Sequence, residues 1–524
     1  MKRKKLFRAM LGLGAVSLAA ASAVVAPPVL AAPAPVFGAC PEGAVTPDRG
    51  ARCAIVSVPM DHADPDGPRI EVTVSRIAAR GASRGALFSN PGGPGVDALD
   101  FWAQRVSAMP AEIADHYDLY AVQPRGLRWS TPLSCASLTG EDGEAFVTDA
   151  ELKAACEEQQ PGYLATVTTE STARDMDAVR AALGLDRIGY LGTSYGTYLG
   201  AVYATLFPER VDRMVLDSNV HPGWVWTEEF AQQQAAGKHR LDALFAWIAE
   251  NDERYHLGTT SMQVYRTWVR QVSAQGGGWY ANITPPPAAV SDLPGDLPEP
   301  LAEIARDGFN GGTEQLAKVQ NFLRLLLSGG ASAQVPLVSA TSVATYTRAF
   351  WPVFAEAMAR AQADPADIDG LIAIAGATRT DPAGRVVFSA ITCNENAVPG
   401  RPEMLGAAVS TLASGGNALD ARAALVRSGM NCGSWPPVTE PVAIDGSGLS
   451  TPPLLLQSEH DALTQYEGGP ALARALGGQL VTVEGGDHGT FGRGNPVVDE
   501  AVLTYLRTGA VHIDRAPEAP LPAG

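Results

Sequence analysis

A serine between glycines, Gly192-Thr193-Ser194-Tyr195-Gly196, stands between two apolar runs, "RIGYLG" (187–192) and "YGTYLGAVYATLF" (195–207). In a chain with 54 glycines, a Gly-Ser turn alone says little. The pattern G-x-S-x-G becomes chemical when a strand enters it and a helix leaves it, because the tight turn then lifts the hydroxyl above the sheet edge. Both flanks fit: β-type residues precede the turn, and apolar residues at helical spacing follow it as far as Pro208. Ser194 is therefore the candidate nucleophile, with a purely structural turn as the alternative.

A nucleophilic serine needs a base, and the base needs an acid to orient it; after such a turn they follow in chain order as acid, then histidine. Of eight histidines, His460, His488 and His512 lie in the C-terminal portion. His512 sits in a Pro/Ala-rich tail and His460 adjoins the candidate acid. His488 lies in "VTVEGGDHGTFG", where an apolar strand runs into a glycine-rich loop that leaves an imidazole free to swing toward a serine. The bland reading of His488 is a loop histidine bonded to backbone. For the acid, "TPPLLLQSEHDALT" (451–464) offers a strand and then a loop with Glu459 and Asp461. Asp461 is preferred because it stands farther past the strand end; Asp217, closing "RMVLDS", is the rival, or a cap. The oxyanion formed on attack needs fixed amides, one of them that of Tyr195. The second is expected from "NPGGPG" (90–95), at Gly92 or Gly93, in a loop whose glycines expose amides and whose prolines stiffen it.

These residues need a scaffold. "CAIVSVPMD", "RIEVTVSRI", "GALFSN", "YDLYAVQ", "RIGYLG", "RMVLDS", "PLLLQS" and "QLVTVEG" read as eight strands, with helices interleaved mainly after the third, an α/β pattern. Between Ser218 and about Pro441 lie amphipathic segments such as "HRLDALFAWIAE" and "ATYTRAFWPVFAEAMARA", with a Gly/Pro-rich patch at 276–300. This block reads as a cap that restricts access to the serine and suits small peptides better than folded proteins. The expected division is a signal peptide over 1–31, core over 32–218, cap over 219–441, core again over 442–509, and a loose tail over 510–524.

The signal reading rests on Lys2, Arg3, Lys4, Lys5 and Arg8 ahead of an apolar stretch that ends at small residues near Ala31. Its removal makes a chain of net charge −17 more acidic still, which argues against nucleic acid or anionic membrane surfaces as partners. "VFGAC" is a poor lipidation site, so no membrane association is expected after processing; the protein is expected outside the cell, free or held at the wall, as a monomer. No C-x-x-C pair or H-E-x-x-H occurs, so neither a metal nor another cofactor is expected.

"NPGGPG", "PRG" at 124–126, "GTSYGTYLGAVYATLFPERVDRMVLDS", "CGSWP" (432–436) and "GDHGTFG" together resemble the secreted tripeptidyl aminopeptidases of actinomycetes, in the prolyl-aminopeptidase superfamily. The likeness runs over nearly the whole mature chain. It implies an α/β-hydrolase fold with a mostly parallel eight-stranded sheet and a large, mainly helical cap inserted between nucleophile and acid. It also implies a serine exopeptidase releasing short peptides from free N-termini, with Ser194, Asp461 and His488 as triad. Two departures stand out: Gln123 where the family has aspartate before "PRG", and "GLRWS" (126–130) where it has GxGxS. They touch the mouth of the site and bear on substrate rather than fold. Export further suggests that Cys40, Cys53, Cys135, Cys156, Cys393 and Cys432 form disulfides; sequence does not choose the pairing, and the local one, 40–53, 135–156 and 393–432, is the expectation. Glu395 and Asn394, beside Cys393, are candidates to receive a substrate ammonium, or else ordinary polar residues. The rival activities are an esterase or amide hydrolase on a small metabolite, and, in another class, a non-catalytic binding protein on a hydrolase scaffold.

Overall fold

The computed structural model describes residues 34–135 and 149–521, apart from 279, 294, 296–297, 328–334, 378–380 and 434. The expected signal peptide, 1–31, lies outside the described residues. The strands are β1 (Arg52–Pro59), β2 (Arg69–Ile77), β3 (Ala86–Asn90), β4 (Asp118–Val122), β5 (Ile188–Ser194), β6 (Val211–Asn219), β7 (Leu454–Ser458), β8 (Gln479–Val483) and β9 (Arg515–Ala516). They form one sheet in the order β1-β2-β4-β3-β5-β6-β7-β8-β9. β1–β2 and β2–β4 pair antiparallel, and every pairing from β4–β3 to β8–β9 is parallel. Central strands are covered on both faces and so read as unbroken apolar runs: all five residues of β3 and of β7 are buried. Edge strand β1 is wetted on one side and alternates.

The sheet has nine strands rather than eight. β9 is two residues long within a Pro/Ala-rich stretch, too short for any period to show in sequence. It also corrects the loose tail. Thr482 donates to Asp514 O and Glu484 to Ala516 O, both at 2.9 Å, so the chain is stitched alongside β8 as far as Ala516.

Two apolar clusters cover the sheet, one holding Val72, Tyr190, Tyr198 and Val202, the other Trp102, Leu191, Leu456 and Tyr505. A third lies in the helical insert between β6 and β7. There Leu244 and Phe245 of the first cap helix (Thr227–Glu250) pack with Trp268, Trp351, Phe354 and Met358. The insert therefore has a core of its own, as its amphipathic segments imply. Disulfides join Cys40–Cys53, Cys135–Cys156 and Cys393–Cys432. Among the described residues, no helix is long and apolar enough to cross a membrane.

Candidate active site

β5 runs straight into the helix Tyr195–Leu206, and Ser194 makes the turn at φ 59° and ψ −129°. A non-glycine residue at such angles costs of the order of 1–3 kcal/mol and persists only where its surroundings fix it. The flanking glycines make the turn sterically feasible. A Cβ on Gly192 would stand 2.3 Å from Gly196 O, and one on Gly196 would stand 2.5 Å from Asn90 O. Ser194 is thereby left half-buried at the carboxyl end of the sheet.

The loop after β3 closes over the serine. A Cβ on Gly92 would lie 2.7 Å from Ser194 Cβ and 3.3 Å from its Oγ, so only glycine fits, and its φ is 108°. The Gly92 amide donates to Asn90 Oδ1 at 2.9 Å. That amide is thus engaged in shaping the loop. Gln123 braces the same loop: its Oε1 accepts from Ala98 N at 2.9 Å, while its Nε2 donates to Asp97 Oδ1 at 2.5 Å and to Arg128 O at 2.8 Å. The neutral amide both donates and accepts, tying the "GLRWS" loop to the glycine loop. In "PRG", Arg125 is fully buried against Asp175, at 2.7 and 2.8 Å.

Asp461 follows β7 and His488 follows β8. His488 Nδ1 lies 3.0 Å from both carboxylate oxygens of Asp461. Leu463 N, Thr464 N and Thr464 Oγ1 also donate to that carboxylate, at 2.8, 3.0 and 3.0 Å. Burial by itself would raise the Asp461 pKa; the His488 ring and the two amides more than offset it and hold the carboxyl below its usual value. An ionised acid facing Nδ1 fixes the tautomer with its proton on Nδ1, leaving Nε2 as the acceptor.

Asp217 does different work. Its carboxylate accepts from Thr490 N, Thr490 Oγ1 and Phe491 N at 2.7, 3.0 and 2.9 Å, and Ser218 Oγ accepts from Gly489 N at 2.8 Å. The end of β6 thus anchors the loop that carries His488. Because β5 pairs with β6 through Thr193↔Asp217 and Ser194↔Asn219, that anchor sits beside the serine. Of the other C-terminal histidines, His460 meets the His239 ring of the cap at a tilt, centroids 4.3 Å apart, and His512 is exposed.

Asn394 and Glu395 end the helix Pro382–Asn394, tied by Cys393–Cys432. Asn394 Nδ2 donates to Leu164 O and Val167 O at 2.9 and 3.0 Å, and its Oδ1 accepts from Trp435 Nε1 at 2.8 Å. Glu395 is buried beneath the nucleophile helix. It accepts from Thr169 N at 2.8 Å, Thr169 Oγ1 at 2.5 Å and Trp226 Nε1 at 3.2 Å, and Thr169 Oγ1 lies 3.0 Å from the Tyr195 hydroxyl. Burial pushes Glu395 up to about 7 against the pull of those donors.

Glu229 of the first cap helix escapes a sequence reading because it adjoins Glu228, which faces outward to Arg427. Glu229 instead turns inward. It is 2% exposed, its Oε2 accepts a 3.3 Å bond from His221 N, and its Oε1 is buried without a partner among the described residues. Burial, with smaller contributions from Asp461 and Glu467, raises it to about 8 despite the His221 amide. A cavity of about 270 Å³ opens between Trp226 and Phe230 on one side and Phe388, Thr392 and the Cys393–Cys432 bridge on the other. Trp226, in its wall, stands 5.7 Å from the Tyr195 ring.

The chain matches two family models: "alpha/beta hydrolase fold" over residues 85–275 and "TAP-like protein" over 418–516. It is 32% identical to a tripeptidyl aminopeptidase of Streptomyces lividans, over 87% of this chain and 82% of the relative. It is 27% identical to serine protease Hip1 of Mycobacterium tuberculosis, over 88% and 86%, and 31% identical to carboxylesterase B of the same species, over 88% and 85%.

Proposed function

The chain is a serine hydrolase of the tripeptidyl aminopeptidase family, built on the α/β-hydrolase fold, and we propose that it is an exported exopeptidase that removes short peptides, tripeptides foremost, from free N-termini. The observation that carries this reading is the Asp461–His488 pair, anchored beside a strained Ser194 turn and under a cap. In the proposed cycle, Ser194 Oγ attacks the scissile carbonyl while His488 Nε2 takes its proton. Asp461 steadies the imidazolium through Nδ1. The amides of Tyr195 and Gly93 receive the oxyanion, since that of Gly92 already serves Asn90. The proton on Nε2 passes to the departing amine, leaving the N-terminal fragment as an ester on Ser194. Water, deprotonated by the same nitrogen, then releases that fragment.

Exopeptidase action requires a partner for the free ammonium. Two buried carboxylates are available, Glu395 and Glu229. Glu229 is favoured because its Oε1 has no hydrogen-bond partner among the described residues and it lies close enough to Asp461 to feel its charge, whereas both Glu395 oxygens already serve Thr169 and Trp226. Glu395 then supports the floor of the site. An ammonium beside Glu229 supplies the charge-assisted bond that this carboxylate lacks.

A second reading, hydrolysis of small esters, draws on the relative named carboxylesterase B and on an oxyanion site indifferent to the leaving group. Rates on peptide p-nitroanilides with free and acetylated N-termini, compared with p-nitrophenyl acetate, separate the two. The peptidase reading expects free-amine peptides to exceed acetylated ones in kcat/KM by roughly tenfold or more, the scale of a hydrogen bond to a charged group. Preference for blocked peptides or simple esters would establish the esterase instead.

A further inference from the structure

The peptide unit that carries the base is gripped by groups outside the Asp461–His488 pair. His488 N donates to Tyr346 O of the cap at 2.7 Å, and Ser458 Oγ at the end of β7 donates to Asp487 O at 2.7 Å. The Asp487 carboxylate accepts from Arg348 N at 2.7 Å and from Arg240 Nη2 of the first cap helix. That helix also reaches the acid loop, where Gln233 Nε2 donates to Leu463 O at 2.8 Å and the His239 ring meets that of His460.

The C-terminal segment closes this arrangement. After β9, Glu518 Oε1 lies 2.9 Å from Arg348 Nε and 3.6 Å from Arg240 Nη1, and it accepts from Gly486 N at 3.3 Å. Ala519 O accepts from Arg348 Nη2, and Pro517 O from Asn495 Nδ2 at 2.8 Å. Arg240 is only 3% exposed and its guanidinium stands 4.8 Å from the Trp351 ring centroid. It therefore links the cap core, the base loop and the tail at one buried point. A buried guanidinium with two carboxylate partners holds one geometry, because losing either partner leaves charge uncompensated in a dry site.

We propose that Arg240, Arg348 and Glu518 are positioning residues for His488, so that the base is aligned for Ser194 only when the cap is seated and strapped down by the C-terminal segment. This inference rests on the reading of Ser194 and His488 as nucleophile and base, and adds that the cap governs base alignment as well as access. Misplacing a reacting group by about 1 Å costs roughly a hundredfold.

The test uses the full-length processed enzyme with Glu518→Ala, Arg240→Met and Arg240→Lys, on a free-amine peptide p-nitroanilide, p-nitrophenyl acetate and a fluorophosphonate. Glu518→Ala and Arg240→Met should lower kcat on both substrates by about 10–100-fold with KM changed by less than about threefold, and slow fluorophosphonate acylation of Ser194 in parallel. Arg240→Lys, which keeps a charge, should recover part of the rate. If Arg240→Met does not fold, Glu518→Ala on the surface side of the strap gives the same readout. Unchanged kcat with a lowered Tm would make the strap purely structural, and raised KM at constant kcat would place its effect on substrate binding; either result overturns the proposal. Failure of the peptidase reading itself shows separately, as loss of preference for the free amine in the unsubstituted enzyme.

Discussion

The carboxyl end of the sheet and the cap differ in how they contribute to the proposed site. The sheet presents Ser194, Asp461 and His488 at the ends of β5, β7 and β8, and ties them together through backbone: register pairs between β5 and β6, and amides of the His488 loop on Asp217. The cap contributes through side chains on helices, many of which pack around a separate core; its helix Pro382–Asn394 joins the sheet's own apolar cluster through Val386, Val387 and Ile391, and Glu229, Gln233 and Arg240 add polar contacts. Rigid strand ends suit groups that must hold sub-ångström geometry, and side chains on an inserted helical layer suit selection of the substrate. On the proposed reading, the reacting groups belong to the sheet, while the cap selects the substrate and helps to align His488.

Substitutions that separate the two regions follow, in order of effect. Ser194→Ala and His488→Ala should each lower kcat by roughly 10⁴–10⁶-fold on peptides and esters alike, and Asp461→Asn by roughly 10³–10⁴-fold, without loss of fold. Steady-state kinetics with circular dichroism checks this, and a peptide-only loss would break the division.

Glu229→Gln should act on one substrate class. Free-amine peptides should lose about ten- to a thousandfold in kcat/KM, while p-nitrophenyl acetate is hardly affected, as the ester has no ammonium to bind. The same substitution has a stability signature. With its folded pKa at about 8 against 4.5 when unfolded, the carboxyl holds a proton in the folded chain that the unfolded chain has released, so its contribution falls as pH rises across that window. Each unit costs about 1.4 kcal/mol once the group ionises. Glu229→Gln should therefore raise Tm above about pH 8 and leave it nearly unchanged below about pH 4.5. Thermal melts at both ends decide it, and an equal shift at both would remove the buried charge from the account.

The smallest effect should come from Asp217→Asn, which keeps one acceptor oxygen for the Thr490 and Phe491 amides and never touches His488 Nδ1. About 1–3 kcal/mol of stability and a modest drop in kcat are expected. A kcat loss as large as that of Asp461→Asn would make Asp217 the orienting acid.

Legibility follows the same division. Buried parallel strands write themselves as apolar runs and the antiparallel edge strand β1 as an alternation, which is why β1 to β8 are legible, and the turn at Ser194 and the loops of Asp461 and His488 follow from strand ends and chain order. The cap's contributions depend on which way a helix faces. Glu228 and Glu229 are adjacent in sequence, yet one pairs with Arg427 outside and the other is buried near Asp461. Asn394 and Glu395 were visible as polar residues beside a cysteine, but not that Leu164, Val167, Thr169, Trp226 and Trp435 would occupy them. The tail reads as loose because Pro and Ala carry no period, and Glu518 is placed by Gly486 and by arginines more than a hundred residues away.

The central claim is that Ser194 carries a short N-terminal fragment as an ester during turnover. Acid quenching at steady state with a longer unblocked peptide, followed by peptide mapping of the enzyme by mass spectrometry, reads this directly. The account predicts an adduct on Ser194 with the mass of the first few substrate residues, tripeptidyl foremost, and none from the acetylated peptide. A long or internal fragment on Ser194, an equal adduct from the blocked peptide, or acylation at another residue would contradict it.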